Sequence, residues 1–124
     1  MLSHLNNHHP KKHAISFKHA FAGIMEGLRD EPRFQLQLIA SFLAVFAGIF
    51  FRITTSEWLA LILVISFVLT TELINTSIEN TIDLVSPDFH PLSKAAKDCA
   101  AGAVLVAAVS SLAVGLIIFI HHLT

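Results

Sequence analysis

Four polar side chains, Glu72, Asn75, Glu79 and Asp83, close a long apolar run in this sequence. At about 100° per residue they fall near about 0°, 300°, 340° and 20° around a helix, so all four project from one side within an arc of roughly 80°. A helix that is otherwise greasy therefore has one acidic stripe. Ionisable groups in such a segment are costly to bury, face protein or water rather than lipid, and mark a functional site by default. Carboxylates with an amide between them suit two tasks: holding a hard cation and taking a proton.

The elements that position the stripe follow from composition. The chain has 124 residues, 54% of them hydrophobic and only 14% charged, with a mean hydropathy of +0.68. That is too apolar for a small soluble domain and reads as an all-α membrane protein. Three spans are predicted, at 34–51, 57–85 and 96–121, the last containing an uncharged stretch of 22 residues from Cys99 to Ile120. About 20 residues cross a hydrocarbon core. Span two reaches that length only by including the acidic stripe, so its functional end lies near a membrane surface.

Ahead of the spans, Phe17, Phe21, Ile24 and Leu28 share one face while Lys18, His19, Glu26 and Arg29 lie away from it, which predicts an amphipathic helix over 14–29 lying in the interface. Residues 1–13, with His4, His8, His9 and His13, read as a flexible polar tail. Residues 14–124 read as a single membrane domain. Between spans two and three, Pro87 and Pro91 break the helix, and Ser93 is the expected cap of the next. Ala100, Ala103, Ala107 and Ser111 form a small-residue stripe expected to be a helix-packing seam.

Positive residues stay on the cytoplasmic side. Lys11, Lys12, Lys18, Arg29 and Arg33 precede span one, Arg52 alone separates spans one and two, Lys94 and Lys97 separate spans two and three, and none follows. The N-terminus is therefore expected inside, with Glu79 and Asp83 at the inner surface and Glu72 about 10 Å deeper. Glu31, Lys97 and Asp98 are expected at that same surface. Glu31 and Glu79, two carboxylates at matching depth on different helices, suit Mg²⁺, which is held by one or two carboxylates with substrate phosphates and water. Lys97 can neutralise phosphate, and Glu72 lies where a lipid hydroxyl could reach it and lose its proton. Positioning, charge neutralisation and an oriented nucleophile are what phosphoryl transfer needs. None of the ordinary nucleotide-binding signatures is present.

The string Glu72-Leu-Ile-Asn75-Thr-Ser-Ile-Glu79-x-x-x-Asp83, followed by His90-Pro91-Leu92 and Ala96-Lys97-Asp98, closely resembles the prokaryotic diacylglycerol kinase family, which also contains the undecaprenol kinases. The resemblance covers about residues 14–121. It implies an interfacial helix plus three transmembrane helices in a homotrimer with shared active sites, in the bacterial cytoplasmic membrane. It further implies MgATP and a lipid alcohol as partners. By position, Glu72 looks like the catalytic base and Asn75 its polar support. Glu31 and Glu79 match metal-binding carboxylates, and Lys97 and Asp98 a nucleotide-binding pair. Asp88, Phe89 and His90 fall where the family's loop approaches the nucleotide, and His19 and Lys12 align with residues near ATP, although Lys12 replaces an arginine. Gln37 stands where the diacylglycerol kinase branch commonly has a further acid. The run from Val85 to Asp98, the Ala100-Ala-Gly-Ala-Val-Leu-Val stretch and Ser56-Glu57-Trp58 look more like undecaprenol kinases. Undecaprenol is thus the expected acceptor, with diacylglycerol as the alternative.

Other readings of the same residues are blander. Glu72 alone could be a structural carboxylate or the proton site of a small oligomeric transporter, and Asp83 could simply pair with a neighbouring lysine. A purely structural subunit would leave the acidic stripe unexplained. The single Cys99 permits no internal disulfide, His121 and His122 read as markers of the outer interface, and a formal charge of −1 gives no reason to invoke nucleic acid.

Overall fold

A computed structural model describes residues 10–124, with side chains from Ser16 onward. It is all-helical: α1 (Pro10–Asp30), α2 (Pro32–Phe51), α3 (Thr55–Val85) and α4 (Pro91–Leu123). Helices α2, α3 and α4 are long and apolar enough to cross a membrane. Each begins within five residues of its predicted start. Residues 1–9 of the expected tail, with His4, His8 and His9, lie outside the described residues, whereas 10–13, with His13, are helical rather than tail, because α1 begins four residues before the predicted 14.

Prolines set the corners. Pro32 disfavours helix in the residue before it, and Glu31 is accordingly extended, with φ −113° and ψ 101°. That one residue ends α1 and starts α2. The amide of the Gln35 side chain then reaches back to the Leu28 carbonyl at 2.7 Å, tying the two helices together. At the start of α4, His90 caps the helix by accepting a hydrogen bond from the Leu92 N–H at Nδ1, 3.1 Å away. The expected cap, Ser93, lies inside the helix instead, because Pro91 already supplies the fixed φ that a first helical residue needs.

Helices α3 and α4 form an antiparallel hairpin that is the main interface of the chain. Its seam is Ala100, Val104 and Ala107, all buried, with Ser111 partly so. Ala103 is exposed, contrary to the predicted stripe. Positions 100, 104, 107 and 111 fall within an arc of about 60°, whereas 103 lies about 40° beyond its edge. The apolar core, Ile53, Leu61 and Ile118 with Trp58, Phe51 and Phe119 against it, sits at the open end of this hairpin.

That end is closed by polar bonds. Thr54 and Glu57 form a capping box, and both oxygens of the Glu57 carboxylate meet His122 Nε2, at 2.9 and 3.1 Å. Arg52, with φ 52°, turns the chain and returns its N–H to Gly48 and Ile49. Gly48 is needed there: a Cβ at this position would lie 2.8 Å from the Trp58 ring and 3.1 Å from Ile53. An indole cannot yield as a flexible tip would. Gly48→Ala is therefore expected to destabilise the fold by about 1–3 kcal/mol, read as a lower midpoint in thermal unfolding. An unchanged midpoint would refute this account of the corner.

Candidate functional site

The acidic stripe emerges from the interior along α3. Glu72 and Asn75 are each 1% exposed, Glu79 is partly buried and Asp83 is exposed. The helix explains the gradient. With 31 residues at 1.5 Å each, α3 is about 46 Å long, well beyond a hydrocarbon core of about 30 Å. Its last turns extend past the packed region and take Asp83 with them.

Two clusters form around the stripe. In the first, Glu79 Oε1 accepts from the Asn75 side-chain amide at 3.2 Å and from the Arg33 guanidinium, also at 3.2 Å. Arg33 stands in the first turn of α2, so its bond to Glu79 joins the corner before α2 to the stripe on α3. Glu31 makes no side-chain hydrogen bond to its own helix, which leaves its carboxylate to other work. Glu72 Oε1 and Asn75 Oδ1 are buried without any hydrogen-bond partner. Orphaned oxygens of this kind are rare in native interiors and call for an explanation. Two buried acceptors aimed at nothing are what a site awaiting a proton or a ligand looks like.

Gly27 makes this neighbourhood compact. Added bulk there would meet Leu73 of α3 at 3.0 Å and Phe34 of α2 at 3.6 Å, so α1 lies directly against the residue that follows Glu72. A hollow of about 650 Å³ opens beside it, with Glu26, Asp30 and Glu31 on one wall and Thr76, Ser77 and Asn80 on the other.

The second cluster lies at the hairpin turn. Lys97 Nζ donates to Asp83 at 2.5 Å, and Lys94 Nζ to Asp98 at 2.5 Å. Both lysines, both aspartates, Asp88, Phe89 and His90 line a smaller hollow of about 250 Å³. Four sequence-selected residues, Asp88, Phe89, His90 and Asp98, thus gather around Lys97. His19 is exposed on α1, and the side chain of Lys12 lies outside the described residues. No group of three or more metal-ligating His, Cys, Asp or Glu side chains occurs among the described residues.

Sequence reasoning overlooked Arg33 and Gln35. Arg33 was counted only as a topological charge, and its partner Glu79 is 46 positions away, beyond any periodicity. Glu57 and His122 were also missed as a pair, although Thr54-x-x-Glu57 has the spacing of a capping box.

Residues 18–119 match the sequence profile described as prokaryotic diacylglycerol kinase. The chain is 44% identical over 108 residues to an undecaprenol kinase from Bacillus subtilis, covering 87% of this chain and 88% of that one. It is 37% identical over 101 residues to a diacylglycerol kinase from Helicobacter pylori, covering 75% of this chain and 78% of that one. It is also 34% identical over 102 residues to a diacylglycerol kinase from Synechocystis, covering 82% of this chain but 58% of the longer relative.

Proposed function

The chain belongs to the prokaryotic diacylglycerol kinase family of lipid kinases, and from that premise we propose that it transfers the γ-phosphoryl group of ATP to undecaprenol at the inner leaflet of a bacterial membrane. The observation that carries the choice of acceptor is the 44% identity extending over 88% of an undecaprenol kinase, against 37% and 34% for the diacylglycerol kinases compared above. The test is a side-by-side assay of purified enzyme in lipid nanodiscs with labelled ATP and either undecaprenol or diacylglycerol. Undecaprenol is expected to be phosphorylated at least about tenfold more efficiently, equivalent to about 1.4 kcal/mol of transition-state discrimination. Equal or reversed preference would replace it with diacylglycerol.

In this reading the buried Glu72 carboxylate takes the proton of the lipid hydroxyl. The freed oxygen forms a bond to the γ-phosphorus while the bond from that phosphorus to the ADP oxygen breaks. Asn75 donates its side-chain amide to Glu79 and so orients that carboxylate on the helix face it shares with Glu72. The first cluster is suited to Mg²⁺ by its chemistry, since Glu31 and Glu79 offer only oxygen donors and two further oxygens beside them are unpartnered. When bound, the cation offsets charge on the transferring phosphoryl group. Lys97, held by Asp83, and Asp98 would meet the nucleotide together with Asp88, Phe89, His90, His19 and Lys12.

The same reading gives a homotrimer with α1 at the inner interface and the N-terminus in the cytoplasm. Phe17, Phe21 and Ile24 on α1 and Phe42, Phe46 and Phe50 along α2 are exposed. Lipid and neighbouring copies are the natural cover for these faces.

A further inference from the structure

Arg33 stands at a position that helix physics disfavours. It lies in the first turn of α2, where the positive end of the helix dipole repels a cation, so the stability of its own helix does not account for it. What it meets instead is Glu79, at 3.2 Å, in a bridge whose guanidinium is 50% exposed and whose carboxylate is 32% exposed. The two lysines at the outer end of the stripe hold other acids, Lys97 pairing with Asp83 and Lys94 with Asp98. Arg33 is thus the cation that accompanies Glu79 among the described residues.

We propose that Arg33 is an exchangeable counter-cation of this site: it holds Glu79 until a divalent cation takes that carboxylate, and then turns its guanidinium to the phosphates of the incoming nucleotide. The inference rests on the metal reading of Glu31 and Glu79 given above and adds a role for a residue outside that set.

Three properties fit the task. A guanidinium stays charged at any physiological pH, so the bridge forms whenever the metal is absent. Half-exposed ion pairs are weak, so a divalent ion can displace it. The planar fork that releases one carboxylate oxygen can donate two parallel hydrogen bonds to a phosphate. One side chain would then keep the carboxylates neutralised while the site is empty and add a phosphate contact once it is filled.

The test separates the two halves of the exchange without using turnover. Purified protein in detergent is titrated with Mn²⁺ and free metal is read by electron paramagnetic resonance, with no nucleotide present. Arg33→Gln is expected to bind Mn²⁺ about threefold more tightly, the order of a weak ion pair, whereas Arg33→Lys, which keeps the charge, stays within about twofold of wild type. Binding of a non-hydrolysable ATP analogue with Mg²⁺ is then measured by calorimetry. Both variants are expected to weaken it by about fivefold or more, because neither has the fork. Unchanged Mn²⁺ affinity in Arg33→Gln, or wild-type nucleotide affinity in Arg33→Lys, would overturn the exchange. Glu79→Ala serves as the reference: it should lose Mn²⁺ binding, and if it binds the ion as wild type does, the metal reading itself falls.

Discussion

Glu72→Gln is expected to lower phosphoryl transfer by about 10²- to 10⁴-fold, the range over which a positioned general base acts, while the protein remains folded and binds nucleotide. Glutamine preserves the shape of the side chain and removes its ability to take a proton. The burial of Glu72 makes this a clean substitution. Its Oε1 has no partner, so no hydrogen bond at that atom is broken. Single-turnover transfer from labelled ATP, run beside a thermal melt of the same sample, gives both readings. Wild-type transfer by the variant would remove Glu72 as the base, and a collapsed melt would show the residue to be structural.

The second large effect is expected at Glu79. Glu79→Ala should reduce transfer at ordinary Mg²⁺ by about a hundredfold or more, because it deletes one of two proposed metal oxygens and also the acceptor that holds the Asn75 amide. Raising the metal concentration should recover part of the rate. Glu31→Ala should show the same metal-dependent recovery, since Glu31 makes no side-chain hydrogen bond to its helix and its loss leaves the cap geometry to Pro32. Normal activation by Mg²⁺ in both variants would sink the assignment of these carboxylates.

How much of this was legible in the sequence depends on how far apart the interacting residues lie. The three long helices were readable because hydropathy and proline punctuation are local signals, and α3 and α2 begin within two residues of expectation. Helix α4 begins five residues early because its first turns are polar and resemble a loop until His90 and Pro91 are recognised as cap and first residue. The stripe was visible as an angular pattern, and its two deepest members are indeed buried. What could not be read was which of several nearby cations would meet which acid. Lys97 pairs with Asp83 across a short turn, 14 positions apart, one of the options that the sequence left open. Arg33 meets Glu79 through the packing of α2 on α3, a tertiary choice that neither charge counting nor spacing encodes. The displaced seam at Val104 is a smaller instance: small residues mark where helices can approach, while the period of the contact decides which of them do.

The two unpaired oxygens of Glu72 and Asn75 also bear on how the protein could be engineered. Buried polar atoms without partners oppose folding, and replacing them with carbon of similar shape often raises stability. Directed evolution for heat resistance alone would be drawn to positions 72 and 75 early and would enrich robust, silent proteins, so any such campaign must be selected on turnover as well as on survival.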